Sequence, residues 1–109
     1  MAIGMQQLHG RVNAQLLTNV VAISDGEWVG VDGFYPFTMH IAGITTATVQ
    51  VRVSNLPTRP ADTVHEAQAG FDVIADQVVV VDYPIRWVKC RVSAWTAGTI
   101  NAYLYGAQA

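Results

Sequence analysis

The 109-residue chain reads as an all-β protein: an antiparallel β-sandwich, jelly-roll or immunoglobulin-like, of six to eight short strands. Three observations carry this reading. Apolar and polar residues alternate with a period of two along most of the chain. Asp-Gly, Gly and Pro positions recur between the alternating runs, and no stretch has convincing helical character.

Met1 to Gly10 is short, polar and interrupted by glycine, and is set apart as an N-terminal arm, leaving residues 11–109 as one sandwich domain. Arg11 to Ser24 fits helix or strand by pattern alone. Its Val-Val-Ala-Ile end, the Thr18-Asn19 pair and the following Asp25-Gly26 turn tip it to strand. Glu27 to Val31 is a short strand held between Asp25-Gly26 and Asp32-Gly33.

Phe34 to Ala42 alternates Phe37, Met39 and Ile41 with Thr38 and His40, and Pro36 pushes the start of that run to a sheet edge. Gly43 interrupts. Thr45 to Ser54 is the cleanest strand, with Ala47, Val49, Val51 and Val53 facing in and Thr48, Gln50, Arg52 and Ser54 facing out.

Asn55 to Gly70, with Pro57 and Pro60, reads as a long loop, and loops of that length in compact domains tend to have a task. Phe71 to Asp82 resumes the alternation and ends in Val78 to Val81, a β-branched run expected to be buried on both faces. Tyr83-Pro84 breaks it. The chain closes on two runs joined by Ala97-Gly98, expected as two antiparallel strands with a tight connection. Val88, Cys90, Val92, Ala94, Ile100, Ala102 and Leu104 make their apolar side.

Composition narrows the function. Apolar residues make up 51% of the chain and charged ones 13%, against about 25% charged in average soluble proteins. So few charges leave apolar surface for another molecule to cover, and a homo-oligomer, dimer or trimer, is expected. A net charge of −2 with six scattered Lys and Arg lacks the basic stripe that nucleic acid requires. Cys90 has no partner for a disulfide and alternates inward, which suits a reducing cytoplasm. Neither a signal peptide nor a run long enough to span a membrane is expected.

Chemistry is sparse. His9, His40 and His65 are far apart, and His65-Glu66 does not complete a two-histidine zinc pattern, so neither metal nor cofactor is expected. Ser24, Ser54 and Ser93 lack a nucleophile-elbow setting, and Asp25, Glu27 and Asp32 are most simply turn residues. No enzyme is expected. What calls for a use is the other side of the closing strands, where Trp87, Lys89, Arg91, Trp95, Tyr103 and Tyr105 form a candidate interface. Those rings suit a protein contact, stacking on sugars as in a carbohydrate-binding module, or burial under the molecule's own second sheet or the Asn55 to Gly70 loop. Lys89 and Arg91 favour an interface edge, paired with a neighbour's carboxylates, because unpaired charges in a core are costly.

The same residues carry a resemblance. Pro84 to Lys89 (PIRWVK), Val92-Ser93 and Thr96 to Gly106 (TAGTINAYLYG), with Ile41 to Val51 (IAGITTATVQV), resemble the closing and middle strands of small all-β virion proteins of tailed bacteriophages. The likeness covers roughly residues 27 to 106. It implies a non-enzymatic structural part, foremost a capsid decoration or cement protein bound across subunits of the major capsid protein, with a neck or tail component as the alternative. Such a part is made in the host cytoplasm and ends in the virion. The arm at Met1 to Gly10 would then reach onto a neighbouring capsid subunit.

Overall fold

The computed structural model describes residues 11–32 and 34–108, so the proposed arm and His9 lie outside the described residues. The protein is all-β. Among the described residues seven antiparallel strands follow in order: β1 (Arg11–Val20), β2 (Ser24–Asp25), β3 (Val29–Gly30), β4 (Phe34–Ser54), β5 (Ala67–Val73), β6 (Gln77–Val81) and β7 (Trp87–Gln108). β4 and β7 are the two central strands and pair along nearly their whole length, from Phe34 opposite Gln108 to Ser54 opposite Trp87. β1, β2 and β3 succeed one another along the free side of β7, while β6 and β5 do the same along β4.

Chain geometry forces this sheet to fold over. Gly30 lies opposite Trp87 and Phe34 opposite Gln108, so four peptide links, reaching about 14 Å, join the two ends of β7. A straight strand of that length would run about 70 Å. Likewise Val81 pairs with Phe37 and Trp87 with Ser54, so the short connection after β6 spans the two ends of β4. The ends therefore meet, and the sheet becomes two facing halves. One contains β1, the second part of β7, the first part of β4 and β6. The other contains β2, β3, the first part of β7, the second part of β4 and β5.

The fold line crosses every strand path. β4 bends at Gly43 and β7 at Gly98, both with φ in the left-handed range, +88° and +120°. Ladder irregularities cluster there, between Ala42 and Val49 of β4. β1 ends at Val20 on one flank, and on the other β5 and β6 are separated by a break in which Asp76 Oδ1 accepts the Ile44 N–H at 2.8 Å.

One cluster fills the space between the halves. Phe37, Met39, Ile41, Ile100, Ala102 and Leu104 come from one half and Val49, Val51, Val53, Val88, Cys90 and Val92 from the other, while Val31 and Ile85 close the mouth. Each fully buried Val, Leu, Ile, Phe or Met contributes on the order of 1.5–3 kcal/mol. Burial pushes the Cys90 thiol up to about 12, so at neutral pH it packs as a small protonated hydrophobe.

Three expectations are corrected. Ala97-Gly98 is not a hairpin connection. It lies inside β7, and the runs on either side of it pair with β4 instead of with each other. Ala94 is exposed, whereas Trp95 packs against the core, because the ladder gains two residues on β7 while crossing the bend. The valine run is not covered on both faces: Val79 and Val81 turn inward, while Val78 and Val80 face solvent. Among the described residues β6 is an edge strand with no second layer outside it.

Candidate functional site: an open sheet face and a sealed cationic cluster

The six aromatic and basic residues of the closing strands divide among three places, because the bend separates them. Trp87, Lys89 and Arg91 lie on the outer face of one half, Tyr103 and Tyr105 on that of the other, and Trp95 sits at the bend, its indole N–H donating to Gly98 O at 3.0 Å.

Around Lys89 the outer face is sealed by the segment between Ser54 and Ala67. Trp28 Nε1 donates to Ala61 O at 2.9 Å and Trp87 Nε1 to Leu56 O at 3.0 Å, which fastens the segment at two points. Arg59 Nε donates to Trp28 O, and its Nη2 pairs with Asp62 at 2.8 Å. Beneath this cover the Lys89 side chain is 0% exposed. Its ammonium has three N–H donors and meets three acceptors: the Asp62 carbonyl, Asp25 Oδ1 at 3.5 Å and His65 Nδ1 at 3.4 Å. It also lies 5.2 Å from the centroid of the Trp28 ring. Asp25 Oδ1 further accepts Arg91 Nε at 3.1 Å. The expected carboxylate from a neighbouring molecule is thus supplied by the chain's own Asp25, and Lys89 is an interior residue.

His65 Nδ1 also lies 3.5 Å from Asp25 Oδ1, and a neutral His65 accepts from Lys89 in the tautomer that leaves this nitrogen unprotonated. Desolvation and then the Arg91 cation, with Lys89 and Arg52 adding to it, lower the His65 pKa against the opposing pull of Asp25. A histidine lowered on folding favours the folded state fully above its unfolded value, near 6.5, and that advantage is lost as pH falls from there through the folded value. Urea midpoints measured between about pH 7.5 and 5 should fall more steeply for the native chain than for His65→Gln. Equal slopes would remove His65 from the cluster's acid response.

The other outer face is open. Pairing sets two rows across it: Val78, His40, Tyr103 and Gln15, then Val80, Thr38, Tyr105 and Asn13. Three strand spacings make each row about 14 Å wide. Val78 is 54% exposed, Val80 61%, Tyr103 44% and Tyr105 50%. The His40 and Tyr103 rings meet at 6.1 Å. Neither row contains Asp, Glu, Lys or Arg. Sequence reasoning found the tyrosines but not Val78, Val80 and His40. Alternation along β4 and β6 places these three on one face, but only the pairing of β6 with β4 makes them neighbours of Tyr103.

A shallow groove of about 300 Å³ follows the bend, lined by Thr45, Thr46, Thr48, Thr96 and Trp95 among others. Among the described residues no three His, Cys, Asp or Glu side chains gather as a metal site would need, and no helix is long and apolar enough to cross a membrane. No protein-family model, no curated protein and no solved structure matches the chain.

Proposed function

We propose that the chain is a non-enzymatic structural protein that assembles through the open face of β6, β4, β7 and β1, and that it serves as a decoration protein on the head of a tailed phage. The carrying observation is the contrast between the two outer faces. One is closed by the chain's own loop, while the other presents Tyr103, Tyr105, Val78 and Val80 to solvent with no charge among them. Exposed aromatic and aliphatic side chains grouped without charges have the composition of an interface core. A second copy covering this face would make a symmetric homo-oligomer and leave other surfaces for the major capsid protein. The assignment to a virion rests on the resemblance of residues 27 to 106.

The saccharide alternative has less beneath it. Trp87 is fastened under the loop and Trp95 packs against the core, so neither tryptophan stands free as a platform, and a sugar would have to lie on Tyr103 and Tyr105 or in the threonine-lined groove at the bend.

The test is the mass in solution. The native chain should be an oligomer at micromolar concentration, and Tyr103→Ala or Tyr105→Ala should raise its dissociation constant by about 30-fold, as loss of an interface anchor worth about 2 kcal/mol does. A native chain that stays monomeric up to about 100 μM would sink self-association through this face.

A further inference from the structure

The two flanks of the folded sheet are protected unequally. β1 is irregular twice, between Gln15 and Leu17 and between Leu17 and Val20, with Asn19 at a φ of 49°. β2 and β3 are two residues each. β5 is preceded by Glu66 at φ 46° and contains Gly70 at φ 74°, and its ladder slips against β4. Bulges and very short strands are the usual ways to stop an edge from recruiting another strand. β6 has neither. It pairs with β4 over five consecutive residues without a slip, from Gln77 opposite Ile41 to Val81 opposite Phe37. Among the described residues nothing pairs with its other side, so alternate residues of this valine strand aim N–H and C=O groups outward.

We propose that β6 is an acceptor edge for an extended segment of a partner protein, apolar at alternate positions and carrying Lys or Arg at both ends. The first requirement follows from Val78 and Val80, which stand exposed on the outer face and would be flanked by the added strand's side chains. The second follows from the residues that bracket β6, Asp76 and Asp82, both exposed. Opposite them an incoming antiparallel strand places residues six apart, and cations at those two positions meet a carboxylate each.

The same charges argue against a second copy at this edge. Two β6 strands paired antiparallel about Val79 would set Asp76 of each copy against Asp82 of the other, and like charges directly opposite destabilise a pair. The inference goes beyond the proposed self-association, which uses the face and not the edge.

The probe is a heptapeptide, blocked at both termini, with Lys at each end of a Thr-Val-Thr-Val-Thr run, which sets its two Val residues opposite Val80 and Val78 when the Lys residues oppose Asp82 and Asp76, compared with the same run ended by Glu. Added to the full chain, the Lys-ended peptide should shift and protect the amides of residues 77–81, and the Glu-ended one should bind at least about 10-fold more weakly. Asp76→Asn with Asp82→Asn, where the new amide keeps an acceptor for the Ile44 N–H, should bring the two peptides within about twofold. Equal binding of both peptides to the native chain, absence of binding, or protection centred on β1, β5 or the tyrosine face would overturn the proposal. None of these outcomes depends on the mass of the chain in solution, so the edge and the face fail separately.

Discussion

Gly43→Ala is expected to cost on the order of 4–5 kcal/mol, enough to unfold a domain of ordinary stability. Two effects add. At φ +88° a side chain is strained wherever it stands, by about 1–2 kcal/mol. The second effect is larger: a Cβ built on Gly43 would lie 1.8 Å from Thr99 O and 2.8 Å from Thr99 C. Those are backbone atoms of β7, and the facing Gly98 is also too close for a side chain, its own Cβ position 2.5 Å from Gly43 O. Relief therefore means parting the two central strands at the fold line, which would loosen the core packed on both sides of it. Gly70→Ala isolates the strain component, because Gly70 has φ +74° but nothing within 4 Å of its Cβ position. Urea unfolding of both variants should place Gly43→Ala at least about 2 kcal/mol below Gly70→Ala. Equal losses would mean that β4 and β7 are not in close contact at the bend.

Much of the core was legible because a period of two survives bending. Val49, Val51, Val53, Val88, Cys90, Val92, Ile100 and Leu104 are inward by alternation and buried in the folded chain. Glycine signals were read less well. A Gly that turns a hairpin and a Gly that lets one strand bend look alike in sequence, so Ala97-Gly98 was expected to reverse the chain and instead lies within a strand of 22 residues. The valines of β6 show a related limit: β-branching favours a strand, but whether a second layer covers it depends on residues elsewhere in the chain. Lys89 was the least legible. Its counter-charge lies 64 residues earlier, and its cover includes Asp62 and His65, 27 and 24 residues earlier. Cover by the Asn55 to Gly70 loop is one of the three fates open to the rings in the sequence, and Trp87 meets it, its indole N–H donating to Leu56 O.

The Lys89 cluster carries the second large expected effect. Asp25→Ala should destabilise the chain by about 3 kcal/mol, because removing one member of a buried pair leaves the other as an uncompensated charge. Asp25 is the only carboxylate contacting Lys89 among the described residues, and without it the ammonium keeps just two neutral acceptors, the Asp62 carbonyl and His65 Nδ1. Asp25 is itself partly exposed, which places the expected loss at the lower end of the range for buried pairs. Arg91 loses its partner as well but is partly exposed and can be hydrated. The signature is the double variant: Lys89→Met in the Asp25→Ala background removes the stranded charge and keeps most of the buried volume, so it should recover about 1–2 kcal/mol. The loss should also appear locally, as earlier exposure of Trp87 and Trp28, whose indole N–H groups fasten the covering loop. A double variant no more stable than Asp25→Ala alone would show that Lys89 does not need Asp25 to stay buried.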